Sequence, residues 1–370
     1  MGNWTQVVPA PMQVWRGWGC ATQVEAPYLG LGDRVLVIGG ARTLGQFRPA
    51  LERHLEKLGL EAIWASYGVD CAEPELARLR ELAAACTGIL GVGGGKALDT
   101  AKLVGEQGRL PVVTIPTSAA TCAGWTALSN VYGTDGAFAY DVPLSRAPQA
   151  LIVDYAWIAT APARTLRAGI GDALAKWYEA SVSSGAAQDA LVISAVQQAR
   201  VLRDLLFQTS AQALGDPGGD AWVQVVDACV CLAGVIGGLG GARCRTVAAH
   251  AVHNGLTHLP GSRLSLHGEK VAVGILVQLR LEELVQGSQL AAAARRELLR
   301  FYGEIGLPTR LEELFQRSLM PEEIQRAAQI ACLPSSDIHH LPFPVTPELV
   351  ATAMQTTLSG EPLAQAVGHS

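Results

Sequence analysis

Four of the eight histidines fall within a window of 18 residues: His250, His253, His258 and His267. In VAAHAVHNGL, His250 and His253 stand three apart, so on a helix they share one face. His267 precedes Gly268 in LHGEK, and far upstream Asp172 stands alone among small residues in AGIGDALAKWYEA. One carboxylate and two imidazoles can hold a divalent metal and leave coordination positions open for a substrate. Zn²⁺ and Fe²⁺ both suit such a set. Each residue also has a plainer reading. The pattern places Asp172 at the start of a helix, where Asp is a favoured cap, and histidines often serve as satisfied core or surface groups. No HExxH occurs, which disfavours a zincin protease.

A second chemical signal is GILGVGGGKALDTAK, Gly88 to Lys102. An apolar strand runs into three glycines and a helix restarts. Such a turn brings backbone N–H groups and a helix N-terminus towards an anion, and Lys96 adds a charge; a phosphate or pyrophosphate is the natural ligand. Leu90 and Ala97 break the Walker A pattern, and Lys96 stands where a GxGxxG needs its last glycine. A tight strand–helix turn without ligand is the plainer alternative. A third signal, PTSAATCAGWTALSNVY (Pro116 to Tyr132), offers hydroxyls, aromatic surface and the thiol of Cys122. Without an activating cation or base nearby in sequence, Cys122 reads as a small lining residue rather than a nucleophile.

These residues need elements to hold them. The chain has 370 residues, enough for two domains or one large one, with 49% hydrophobic and 16% charged residues. That supports a large core and excludes disorder. The formal charge of −5 and the lack of a basic block argue against nucleic acid as a partner. No signal-peptide pattern is visible, and the longest apolar uncharged run, Ala228 to Ala242, is short of the ~20 residues of a membrane span. Eight cysteines without a CxxC indicate neither a disulfide framework nor a cysteine zinc site. A reduced, cytoplasmic setting without membrane contact is expected.

Along the first ~150 residues, strands and helices alternate. Strands are expected at Arg34–Ile38, Ala62–Tyr67, Gly88–Val92 and Leu110–Pro116, and helices at Phe47–Leu58, Pro74–Ala85 and Ala97–Val104. This is an α/β pattern with a parallel sheet. From about Pro162 helices dominate: Asp172–Ser184, Ala190–Leu206, Ala221–Leu239, Val247–Leu256, Glu269–Val285 and Ala292–Tyr302. The expected division is an α/β domain over 1–158 and an all-helical domain over 159–370. Leu110 to Thr134 carries no charge, which suits a cleft lining.

Taken in order, GVGGGKALDTAK, PTSAATCAGWTALSNVY, AGIGDALAKWYEA and AAHAVHNGLTHLPGSRLSLHGEKVAVGILVQ resemble the glycerol-dehydrogenase branch of the iron-containing (group III) alcohol dehydrogenases. The resemblance runs from about Val35 to Glu348. It implies a Rossmann-like dinucleotide domain, an all-α metal-binding domain, a catalytic cleft between them and assembly of identical subunits. It further implies that Asp172, His250 and His267 ligate one divalent metal and that His253 is a cleft histidine placed to relay a proton. By the same resemblance Gly94, Gly95 and Lys96 meet the cofactor phosphates, and Thr117, Ala120, Thr126, Leu128 and Tyr132 touch the dinucleotide.

Two departures bear on specificity. Where glycerol dehydrogenases place an Asp that contacts the polyol, this chain has Cys122. Losing that carboxylate removes an acceptor for hydroxyls and lessens repulsion of an anion. ATCAGWTALS, GIGDALAKWYEA and DIHHLPFPVTPE (Asp337 to Glu348) resemble hydroxycarboxylate dehydrogenase A, which implies reduction of 2-oxo acids to 2-hydroxy acids, with Cys122 in contact with substrate. Where NAD-preferring members carry an Asp beside the ribose, this chain has Gly40, and Arg42 follows two residues on; NADP is therefore admitted alongside NAD. The expectation is a metal-dependent, NAD(P)-linked hydride transfer to a small-molecule 2-oxo acid. The alternatives are a glycerol or other polyol dehydrogenase, a cyclase resembling dehydroquinate synthase, and a non-catalytic dinucleotide-binding protein.

Overall fold

The computed structural model describes residues 6–25 and 29–357. Among these, the strands are β1 Gln13–Gly17, β2 Arg34–Gly39, β3 Glu61–Ser66, β4 Gly88–Gly93, β5 Val112–Pro116, β6 Leu128–Tyr132, β7 Phe138–Pro143 and β8 Ala150–Asp154. Six form one parallel sheet in the order β1-β8-β5-β4-β2-β3, while β6 and β7 pair as an antiparallel hairpin. Helices α1 Ala41–Lys57, α2 Glu73–Ala83 and α3 Gly95–Gly108 flank the sheet. After α4 (Tyr155–Ile158) the chain is helical: α5 Ala163–Ser184, α6 Ala190–Gly215, α7 Asp220–Asp227, α8 Ala233–Gly240, α9 Ala248–Thr257, α10 His267–Gln286, α11 Gln289–Ile305, α12 Leu311–Phe315, α13 Pro321–Ala331 and α14 Pro347–Gln355.

The sheet is parallel because its strands are apolar on both sides. Val35 and Val37 of β2 pack with Phe47, Leu51 and Leu55 of α1. Their neighbours Leu36 and Ile38 point to the other face and pack with Leu76 and Leu79 of α2. Strands buried on both faces, with helices as crossovers, are the usual parallel solution. Chain order reverses at β2: β3 lies on one side of it and β4 on the other. The carboxyl ends of β2 and β4 therefore flank a crevice of the kind that receives ligands in open α/β sheets.

Several elements differ from the sequence expectation. Strands β1, β6, β7 and β8 were not foreseen, being short and lacking a long periodic signal. Helix α1 starts at Ala41 rather than Phe47, because the polar, Gly45-containing first turns carry no apolar stripe. Helix α5 starts at Ala163, nine residues before Asp172, behind Pro162. Asp172 is therefore mid-helix, and its reading as a helix cap is wrong; Gly169 and Gly171 had disguised the first turns. Asp220–Cys244 is a helical run of 25 residues, long and apolar enough to cross a membrane, where the uncharged stretch alone had looked too short. Trp222, Val225, Val226, Val230 and Ile236 from this run lie in the core of the helical half.

Candidate active site

Asp172 on α5, His250 on α9 and His267 at the start of α10 converge. One ligand-type atom from each lies within 4.8 Å of the others. His267 Nε2 stands 3.1 Å from Asp172 Oδ1, and His250 Nε2 stands 3.5 Å from the same oxygen. Burial alone would raise the Asp172 carboxyl, but its bonds with His250 and His267 outweigh this and hold it well below the usual carboxylate range. Two imidazole nitrogens facing one ionised oxygen form the donor set of a divalent transition metal, so the residues present fit such an ion.

His250 is fixed from behind. Glu179, fully buried, places Oε2 2.6 Å from His250 Nδ1, while its Oε1 accepts the backbone N–H groups of Val247 (2.6 Å) and His250 (3.0 Å). A carboxylate at Nδ1 keeps the proton there and leaves Nε2 as the free donor, the usual support of a metal-binding histidine. Burial opposes charge on His250, yet Glu179 and Asp172 together lift the ring to about 9. A metal taken up at neutral pH therefore displaces a proton from it. The sequence reading missed Glu179. The available signal was its place seven residues after Asp172, two helical turns along the same face.

Glycine sets how closely the helices approach. A Cβ on Gly171 would stand 2.6 Å from the Gly268 carbonyl oxygen, and a Cβ on Gly268 would run into the Ala168 carbonyl. A Cβ on Gly274 would meet the Ala249 carbonyl, where α10 crosses α9. These crossings bring Asp172, His250 and His267 within reach of one another. Gly268→Ala is expected to force α5 and α10 apart, destabilise the fold by about 1–3 kcal/mol and weaken metal binding. Thermal melts and a metal-competition titration of the purified variant check both effects.

His253 joins the cluster, its ring 4.2 Å from that of His267 and its Nδ1 2.9 Å from Asn254 Oδ1. Burial, with His267 and Lys270 close by, pushes it well below the ordinary histidine value, so it stays neutral at physiological pH. His258 does not join: its Nε2 lies 3.0 Å from the Phe138 carbonyl on β7. Cys122 packs within the apolar cluster that also holds Trp125, Ile170 and Leu174. Burial pushes its thiol up while Lys176 opposes, which leaves a protonated, unreactive sulfur.

The expected cofactor residues gather at the crevice. Gly94 caps α3 through extended backbone with no capping side chain, as Gly40 does for α1. At Gly93 (φ 151°) a Cβ would press within 2.8 Å of Ala97 Cβ. A Cβ on Gly95 would stand 3.2 Å from Thr121 Oγ1, so the glycine turn faces the segment after β5. Thr117 N–H donates to Gly93 O at 3.0 Å, and Ala120 lies against α5 at Gly169. The carbonyls of Thr126 and Leu128 both accept from Lys102. Lys96 has partners of its own. It pairs with Asp70 and lies 4.8 Å over the Tyr132 ring, while Asp70 also takes Arg263 at 2.6 Å. The Lys96 charge is thus engaged, and the uncapped N–H groups at the start of α3 are the donors left for an anion there.

A family model described as iron-containing alcohol dehydrogenase matches residues 11–155. Hydroxycarboxylate dehydrogenase A of Escherichia coli is 42% identical over 72% of this chain and 74% of its own length. A glycerol dehydrogenase of Pseudomonas putida is 36% identical over 88% of this chain and 89% of its own. The crystal structure of a probable glycerol dehydrogenase from Sinorhizobium meliloti superposes with a TM-score of 0.83 at 31% identity, covering 95% of this chain and 98% of that one. A parallel sheet with a ligand crevice, joined to a helical body with a buried His–Asp cluster, defines a dehydrogenase of this architecture. The chain belongs to the iron-containing alcohol dehydrogenase family, in its glycerol dehydrogenase-like branch, and is an oxidoreductase.

Proposed function

We propose that the chain is a metal-dependent, NAD(P)-linked dehydrogenase that interconverts a small 2-oxo acid and its 2-hydroxy acid. The observation that carries the reading is the convergence of Asp172, His250 and His267, with Glu179 setting the His250 tautomer. These three side chains would hold one Zn²⁺ or Fe²⁺. Residues 1–158 would bind the dinucleotide and 159–370 would form the catalytic domain, since β8 ends at Asp154 and the first long helix begins at Ala163. Gly40, Gly94, Gly95, Thr117, Ala120, Thr126, Leu128 and Tyr132 would line the cofactor path, with Lys96 beside it.

When bound, the metal supplies Lewis-acid polarisation of a substrate oxygen, and the nicotinamide supplies or accepts hydride. The chain's own part is positioning and exclusion of water. Asp172 keeps a negative charge between His250 and His267. Glu179 holds His250 in one tautomer. His253, buried and neutral, is able to accept a proton and pass it on. The β6–β7 hairpin ties the two halves of the molecule: Phe138 N–H donates to Thr257 Oγ1 at 2.8 Å, and Arg263 donates to the Thr134 carbonyl at 2.8 Å.

The acid substrate is supported by Cys122, which puts no carboxylate against an anion, and by the 42% identical hydroxycarboxylate dehydrogenase. The polyol reading is supported by the glycerol dehydrogenases among the relatives. One experiment separates them. The purified protein is loaded with Zn²⁺ or Fe²⁺ and nicotinamide absorbance is followed. One arm offers NADH or NADPH with 2-oxo acids; the other offers NAD⁺ or NADP⁺ with glycerol and short diols. Metal-dependent turnover of 2-oxo acids at a kcat/KM about 10-fold or more above that for glycerol is expected. Turnover of glycerol alone would replace the acid reading with the polyol one.

A further inference from the structure

We propose that Lys176 is the cation that receives the carboxylate of an anionic substrate and so sets the preference for acids over neutral ketones. This rests on the 2-oxo acid reading above. Asp172, Lys176 and Glu179 fall at i, i+4 and i+7 on α5 and share one face of the helix. Lys176 is 6% exposed, yet among the described residues its ammonium makes no hydrogen bond and no ion pair. The two carboxylates on its own face are already engaged. Asp172 faces His250 and His267 and is drawn down by the Lys176 charge without forming an ion pair with it, and Glu179 holds the His250 ring and two backbone N–H groups.

Five other cations near the cleft have partners among the described residues. Lys96 pairs with Asp70, Lys102 with Asp99, Arg164 with Glu269 and Arg263 with Asp70. Lys270 donates to the Ser265 carbonyl at 2.7 Å. A buried charge is costly until a counter-charge meets it. The glycine turn before α3 offers backbone N–H groups for the cofactor's phosphates, whereas Lys176 stands one helical turn from Asp172. That location suits a carboxylate joined directly to the reacting carbon, as in a 2-oxo acid.

The test uses the full-length, metal-loaded protein with Lys176→Met and Lys176→Arg. Pyruvate is compared with hydroxyacetone, which replaces the carboxylate by a neutral CH₂OH. In Lys176→Met the ratio of kcat/KM for pyruvate to that for hydroxyacetone is expected to fall about 30-fold, mostly through KM, because a charge-assisted bond is lost. Lys176→Arg should restore most of the ratio. Calorimetric titration with oxamate, an unreactive carboxylate, on the nicotinamide-bound protein should show about 30-fold weaker binding in the Met variant. An unchanged ratio would overturn the proposal. So would an equal loss on both substrates with reduced metal content, which would make Lys176 a support for Asp172. A selective loss of nicotinamide affinity would assign the lysine to a cofactor phosphate instead. If the wild-type protein reduces pyruvate and the Met variant does so equally well, the proposal fails alone. If the wild type reduces hydroxyacetone but neither reduces pyruvate nor binds oxamate, the acid reading fails with it.

Discussion

Asp172→Ala is expected to lower kcat/KM by about a thousandfold or more, since the Lewis-acid contribution of a metal is several kcal/mol. Asp172 contributes the oxygen that both His250 and His267 face, at 3.5 and 3.1 Å. Without it the two imidazoles retain no anionic co-ligand, and a divalent ion is held by neutral donors alone. The helix should survive. Asp172 lies mid-helix, Ala is the best helix former, and Glu179 still anchors His250. The purified variant should therefore show native circular dichroism, little metal after dialysis and background turnover. Asp172→Asn, which keeps the shape and removes the charge, should fall in the same class. Full activity in a metal-free Asp172→Ala protein would refute the metal assignment.

The second large effect concerns Glu179, which need not touch substrate or metal. Glu179→Ala strips partners from three buried donors: the N–H groups of Val247 and His250 and the His250 Nδ1–H. Leaving such groups unpaired in the interior should cost about 3–5 kcal/mol of stability. Glu179→Gln is the more informative change. Its amide oxygen still accepts the two backbone N–H groups, but its NH₂ then faces His250 Nδ1. That contact draws the proton to Nε2 and removes the donor pair a metal needs. The Gln variant should keep most of its thermal stability yet lose about 10- to 100-fold in metal affinity. Competition against a fluorescent chelator, paired with melts of the metal-free protein, separates the two effects. Equal metal affinity in the Gln variant and the parent would show that the tautomer argument is wrong.

The chemistry-bearing residues were legible in the sequence because their types are scarce and their spacing is local. Three glycines after an apolar strand, a lone Asp among small residues and a run of histidines each announce themselves within a short stretch of chain. The alternation of strands and helices before residue 150 and the helical remainder were legible for a related reason. Period-2 and period-3.6 patterns, and runs apolar on both faces, are properties of short windows. The ordered set of four motifs tied these windows to the iron-containing alcohol dehydrogenases.

Other features follow from long-range packing, which no window contains. Asp172 looked like a cap because two glycines hid the turns before it; in the fold those glycines let α10 and the segment after β5 press against α5. Lys96 reads as a phosphate neighbour, and the fold adds Asp70, 26 residues away, as its partner. Cys122 reads as a small lining residue, and in the fold it packs with apolar side chains of α5. Lys176 and Glu179 stand together in GIGDALAKWYEA, and nothing local tells their roles apart. Their roles depend on which partners the fold supplies: Glu179 meets a histidine 71 residues away, and Lys176 makes no hydrogen bond or ion pair among the described residues. Spacing along the chain fixes which face of a helix a side chain takes, whereas the charge environment of that side chain is fixed by the helices that cross it.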